Sequence, residues 1–316
     1  MGKGRERLSE LGENRLVDRI IASLPDDASI IVGAGDDCAV VEIGNGPWQL
    51  LKTDCIIEGV HFLPGTDPEL VGRKSINRVL SDIAAMGGIP RHAVVTLVCD
   101  AGRELEEVDG WYAGINAAAA AAGCFVVGGE TARLNNSGVV ISVAMTGEVD
   151  RDSCVLRSGA KAGDIIAVTG RLGGSFESER HLSFEPRLEQ AQWLVKHFKP
   201  NAMMDLSDGL GSDLPRMARA SGVGFDVKLD AIPSNSGIGV ESAVAEGEDY
   251  ELLITVPADT WAALDAMWQK TFHEVMLTSI GTITEGSSGD LPAGWEYFTS
   301  ECQWLNCSSM LNRKLR

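Results

Sequence analysis

Apolar residues recur along this chain at helical and strand spacings that divide it into two successive sets of elements. Leu16, Ile20 and Leu24 fall on one face of a helix over residues 11–24, which Pro25 closes. The β-branched run Ile30-Ile31-Val32 predicts a strand that enters the turn Gly33-Ala34-Gly35-Asp36-Asp37. Residues 39–43 and 48–53 predict a strand pair, joined by the hairpin signal Gly44-Asn45-Gly46-Pro47 and followed by Asp54. Leu70, Val71, Ile76, Val79, Leu80 and Ile83 predict a helix over 68–86, stopped by Gly87-Gly88. Asp82 falls in its last turns, where a carboxylate opposes the helix dipole, and such a broken local rule points toward function. A strand over 93–99 and an alanine-ended helix over 105–122 follow. Next come a short buried strand, Phe125-Val126-Val127, entering Gly128-Gly129-Glu130-Thr131, and a strand over 139–147.

The polar connection Asp150-Arg151-Asp152-Ser153 suggests a boundary, with one domain over residues 1–150 and a second over 151–316. The second set reads as a strand over 165–169, a glycine-rich loop over 170–174 and a helix over 186–197. After Ala202-Met203-Met204 and Asp205-Leu206-Ser207-Asp208-Gly209 come a helix over 212–220, strands over 225–229 and 251–256, and a helix over 259–269. Neither half alternates strand and helix cleanly, so hairpins with intervening helices predict α+β domains rather than a doubly wound sheet. A length of 316 residues agrees with two domains.

A net charge of −18 argues against nucleic acid and anionic membrane as partners. It leaves room for phosphorylated metabolites, because Mg²⁺ held by carboxylates bridges acid to phosphate. Seven cysteines, scattered and without a Cys-x-x-Cys pair, fit reduced thiols in a cytoplasmic protein better than a disulfide framework or a zinc site. The charged start, Met1-Gly2-Lys3-Gly4-Arg5-Glu6-Arg7, leads into no signal-like apolar stretch, and no run reaches the length of a membrane span.

Several motifs lead nowhere. Gly33-Ala34-Gly35 lacks the third glycine and the helix of a dinucleotide fingerprint, and Gly72-Arg73-Lys74-Ser75 has P-loop residues at the wrong spacing inside a helix. Acids at strand ends and glycine turns remain: Asp36 and Asp37, Asp54, Asp82, Glu130, Asp205 and Asp208, and Glu248. Each alone reads equally as a turn or a helix cap. Together they form the oxygen-rich set that suits Mg²⁺.

Six stretches carry a family resemblance. They are Gly35-Asp36-Asp37-Cys38-Ala39; Thr53-Asp54 with Glu58-Gly59-Val60-His61-Phe62; Leu80-Ser81-Asp82-Ile83-Ala84-Ala85-Met86-Gly87; Leu156-Arg157-Ser158-Gly159-Ala160-Lys161-Ala162-Gly163-Asp164; Asp205-Leu206-Ser207-Asp208-Gly209-Leu210 with Ser212-Asp213-Leu214; and Gly247-Glu248-Asp249-Tyr250-Glu251-Leu252. In kind and order they resemble the thiamine-monophosphate kinase family, within a superfamily that includes aminoimidazole ribonucleotide synthetase and selenophosphate synthetase. The resemblance implies an N-terminal mixed-sheet domain that binds ATP and Mg²⁺ and pairs in a homodimer, and a C-terminal α/β sandwich that binds substrate. It implies ATP-dependent phosphorylation of thiamine monophosphate to thiamine diphosphate, in line, without a covalent nucleophile. Such a reaction asks for alignment and charge neutralisation.

Carried over by position, the resemblance makes Asp37, Thr53, Asp54, Asp82, Glu130, Asp205 and Asp208 ligands of several Mg²⁺ ions. It assigns Tyr112, Gly129, Arg157 and Ser207 to ATP, and His61, Glu248 and Trp295 to the thiamine substrate. Asp36 shapes the turn or acts behind the ligands. Three departures stand out. Glu130 replaces an aspartate and resembles the aminoimidazole ribonucleotide synthetase branch. Lys52 replaces a small hydroxyl residue and would displace or supplement a metal, and the segment 175–186 is short. They keep two alternatives open: another ATP-dependent enzyme of the superfamily, and a nucleotide-binding protein without catalysis.

Overall fold

The computed structural model describes residues 7–286, 289 and 291–295. The chain opens with α1 (Leu8–Leu11) and α2 (Glu13–Ile21), the latter without a buried residue. A first unit follows: β1 (Ile30–Val32), β2 (Ala39–Val41), β3 (Trp48–Ile57), α3 (Pro68–Ala85), β4 (Ile89–Cys99), α4 (Leu105–Ala121), β5 (Phe125–Arg133) and β6 (Val139–Val149). Its strands form one sheet in the order β1-β2-β3-β6-β4-β5. The long β3 and β6 pair antiparallel from Trp48 opposite Val149 to Ile57 opposite Val140. Successive residues of a strand point to opposite faces. Leu50 and Ile56 therefore lie under α3 with Lys52 and Asp54, while Leu51, Thr53 and Cys55 point the other way.

The second unit holds β7 (Ile165–Thr169), α5 (Arg180–Ser183), α6 (Leu188–His197), β8 (Ala202–Asp205), α7 (Leu210–Ser221), β9 (Gly224–Val227), α8 (Val240–Ala245), β10 (Leu252–Val256), α9 (Ala258–Thr271) and β11 (Leu277–Thr284). Its sheet, β8-β10-β7-β11-β9, is antiparallel throughout. Every residue of β8 and β10 is buried, because both faces are covered. Ile166, Met204 and Leu253 pack with α7 residues, while Ala167, Met203 and Ile254 pack with α6 and α9 residues. The result is the two-domain α+β architecture, a mixed sheet followed by an α/β sandwich.

Helix α3 is wedged between the two units. Pro68 in its first turn and the Asp67 carboxylate on the Glu69 N–H fix its start. From Val71 onward almost every residue is buried, including Lys74, Asn77, Arg78, Ser81 and Asp82. One flank meets the first sheet and α4; the other meets α5, α6 and β8. Polar side chains on an all-round buried helix must find partners inside the protein, and this one delivers them to the junction.

The strand expected as short and buried at 125–127 is instead a nine-residue edge strand, exposed over most of its length. The glycines that suggested its end permit it to continue. A Cβ on Gly129 would lie 1.9 Å from the Val95 carbonyl oxygen, so only glycine lets β5 run this close to β4. Five elements, α1, α5, β8, α8 and β11, have no counterpart in the hydrophobic pattern. β8 is an unbroken buried run, α8 has six residues, and β11 carries a serine, a glycine and three threonines.

Candidate active site

Three carboxylates converge at the junction: Asp37 from the turn after β1, Asp82 from the end of α3 and Asp205 from the end of β8. One oxygen of each lies within 4.8 Å of the others, and all three residues are buried. Arg157 reaches from the connection between the units to Asp37 Oδ1 at 2.5 Å. Lys52 donates to Asp82 Oδ1 at 2.7 Å, and the Ser81 hydroxyl donates to Asp205 Oδ2 at 2.6 Å. The second oxygen of Asp37 is buried with no hydrogen-bond partner. Burial and the neighbouring carboxylates raise Asp82 well above the usual carboxylate range and push Asp205 up to about 6. A close-set group of buried acids, one with an orphaned oxygen, fits a hard divalent cation.

Asp36 and Asp37 diverge. The Asp36 carboxylate accepts the backbone N–H groups of Asp37 at 3.0 Å and of Arg157 at 3.1 Å, so it ties the turn to the inter-unit connection. Burial and Asp37 raise it to about 6. Asp54 lies beside the three-acid group, 3.0 Å from Arg78.

A second cluster adjoins the first. Lys74, fully buried, donates to the His61 carbonyl oxygen at 2.7 Å and to the Glu248 carboxylate. Arg78 lies 3.9 Å from the same carboxylate. Burial opposes the charge on Glu248, but the cations Lys74 and Arg78 outweigh it and hold its pKa down at about 2. Burial, with Arg78, lowers His61 to about 3, so its imidazole is neutral. Its Nδ1 accepts the Ile57 N–H at 3.0 Å, which leaves the proton on Nε2. Burial likewise lowers Lys74, to about 8.

Glu248 has a left-handed backbone, φ 65°, unusual for a residue with a Cβ. Its N–H bonds the Ser207 carbonyl at 2.7 Å, and the following acids are anchored deeply. Asp249 accepts from the Gly173 N–H, the Ser175 hydroxyl and Arg180; Glu251 accepts from Thr169 and, at 2.6 and 2.8 Å, from Arg187. The short segment 175–186 is thus bound to the base of the Glu248 turn. The glycine loop 170–174 turns the chain, and the protein's own Asp249 and Glu246 occupy the N–H groups of Gly173 and Gly174.

Other expected residues lie apart from these clusters. Thr53 points to the opposite face of the first sheet from Asp54. Glu130 shares that outer face, in register with Thr96, Ser142 and Cys55, and is exposed. Gly129 precedes it on β5, and Tyr112 packs on the first core from α4. Asp208 pairs with Arg216, and its carbonyl oxygen accepts the Trp295 N–H at 2.9 Å; Ser207 precedes it in the same loop.

Lys74 and Arg78 were passed over in the sequence. Their signal was available: two cations four apart on the buried face of a helix, with Val71 and Ile83 beside them. What could not be read was a partner 174 residues away.

Residues 35–149 match the family model described as AIR synthase related protein, N-terminal domain, and residues 161–293 match the corresponding C-terminal domain. The thiamine-monophosphate kinase of Aquifex aeolicus is 34% identical, over 92% of this chain and 100% of that one. That of Bacillus subtilis is 32% identical, over 87% and 92%. A solved structure described as AaThiL complexed with AMPPCP and TMP superposes with a TM-score of 0.81 at 33% identity, covering 93% of this chain and 100% of the other. The HypE-HypF complex structure, at 18% identity and a TM-score of 0.70, shares the fold.

Proposed function

The chain belongs to the thiamine-monophosphate kinase family, and we propose that it transfers the γ-phosphoryl group of ATP to the phosphate of thiamine monophosphate, giving thiamine diphosphate and ADP. The observation that carries this reading is the pairing of two clusters at one junction: buried acids suited to a cation–phosphate assembly, and beside them an ionised Glu248 with a neutral His61. The acceptor is itself an anion, so the barrier is set by charge repulsion and alignment rather than by the need for a covalent nucleophile.

Asp37, Asp82 and Asp205 would hold Mg²⁺, with Asp54 beside them. When bound, the metal neutralises phosphate charge and aligns the reacting oxygens. Thr53, Glu130 and Asp208 complete the proposed ligand set through the family resemblance; in a single chain they do not join the three-acid group. Arg157, oriented by Asp37, presents a fixed guanidinium toward nucleotide phosphate, with Ser207, Gly129 and Tyr112 as the other ATP contacts. Glu248 supplies a negative charge for the cationic thiazolium side of the substrate, His61 donates from Nε2, and Trp295 offers an aromatic face. The α3 wedge keeps water from the back of the site.

We place the division between the domains at residues 150 and 151. Sheets confined to residues 30–149 and 165–284 support it. The outer face of the first sheet supports a homodimer. Leu51, Val94, Ala144 and Val127 line a shallow apolar depression on it. A cytoplasmic location agrees with five free cysteines among the described residues; the other two, Cys302 and Cys307, lie outside them. No helix of the described residues is long and apolar enough to cross a membrane.

Purified protein with Mg²⁺, ATP and thiamine monophosphate should release ADP and form thiamine diphosphate in equal amounts. Chromatography that finds no thiamine diphosphate at saturating substrates overturns the proposal.

A further inference from the structure

Lys52 leaves β3 on the face that carries Asp54 and lays its ammonium on Asp82 Oδ1 at 2.7 Å. The cations already resident at the junction are unevenly spread. Arg157 answers Asp37, Arg78 answers Asp54 and Lys52 answers Asp82. Asp205 has only the neutral Ser81 hydroxyl, and Asp37 keeps one buried oxygen unbonded. With four carboxylates against three fixed cations, the unmet negative charge falls on the Asp37–Asp205 side.

We propose that Lys52 is a built-in cation of the phosphate site. It stands on the Asp82–Asp54 side where a further divalent ion would otherwise sit, so that the chain takes one ion fewer beside the one held by Asp37, Asp82 and Asp205. A covalently tethered ammonium need not be captured from solution or stripped of a tightly held hydration shell, as Mg²⁺ must be. It carries one charge in place of two, so it neutralises less. Lys52 is therefore a positioning and charge-supplying residue whose effect is on how many ions the site takes. This inference rests on the reading of the junction as a metal–phosphate site, but its test does not pass through turnover.

The test counts Mn²⁺ by electron paramagnetic resonance of the free ion, with purified full-length protein and the methylene analogue of ATP. Lys52→Ser and Lys52→Met should each bind one more ion per chain at saturation than wild type, and Lys52→Arg should bind the wild-type number. Equal counts in all four proteins overturn the proposal. A second measurement needs no variant. Lysine acetylation of the wild type, read by peptide mass spectrometry, should show Lys52 equally protected with and without saturating Mn²⁺. Protection lost on adding metal means that the ion displaces the ammonium, and the proposal fails. Because neither readout involves product, a chain that does not phosphorylate thiamine monophosphate is recognised separately.

Discussion

Asp36 and Asp37 are neighbours with opposite tasks, and backbone geometry separates them. Asp36 spends its oxygens on the N–H groups of Asp37 and Arg157. Asp37 points inward, takes Arg157 on one oxygen and leaves the other unbonded. Asp37→Asn removes the charge on which the cation site is built and should lower kcat on the order of 10²–10³-fold, the scale seen when one electrostatic contact of a transition state is lost. Asp36→Asn keeps the shape of the acceptor and should cost about 1–2 kcal/mol of stability with much less effect on kcat. Steady-state kinetics and thermal melts of the two variants decide this. Equal losses of kcat would remove the distinction. The family resemblance pointed to Asp37, and that only one of the two acids would face a ligand was legible in the sequence. That Arg157 binds both was not, because 120 residues separate Arg157 from Asp37.

Helix α3 is the element on which both clusters depend, since Lys74, Arg78, Ser81 and Asp82 all project from it. Its height above the sheet is set where it crosses α4. A Cβ on Gly72 would fall 2.0 Å from the Trp111 carbonyl oxygen, and one on Gly114 would fall 2.0 Å from that of Glu69. The two glycines let the backbones touch, and neither neighbour is a flexible side chain that can yield. Gly72→Ala should therefore destabilise the protein by about 1–3 kcal/mol and displace the acids, seen as a lowered Tm and a raised metal requirement. Gly128→Ala, where nothing lies within 4 Å, serves as the control and should melt like wild type. Equal melting of both variants would show that the crossing is not tight. The bounds of α3 were legible because local chemistry writes them: Pro68 at the start and Gly87 after the end. β11 was not legible, because its character comes from pairing with β7 and β9 rather than from alternation of its own.

At the scale of the whole molecule, the site exists only because two units close on one helix. Asp37 and Asp82 come from the first unit and Asp205 from the second. The acids themselves could be listed from the sequence, but not which of them meet. Glu130 makes the point, since its position on the outer face follows from the register of β5 with β4 and from nothing in its flanking residues. That outer face also presents Leu51, Val94, Phe125 and Val127, each more than 40% exposed, on a sheet whose other face is fully used by α3 and α4. A sheet face open to water is ordinarily polar throughout, and here an apolar patch interrupts the polar positions Thr53, Thr96 and Glu130. Pairing of two such faces would bury the patch, as in an obligate homodimer. Light scattering on the eluted protein should give twice the 33.6 kDa chain mass. Val94→Lys, which sets a charge in the middle of the patch, should shift the mass to that of one chain while leaving the fold intact by circular dichroism. A wild type that elutes as a single chain at micromolar concentration rules the pairing out. A Val94→Lys protein that stays double would move the interface to another surface.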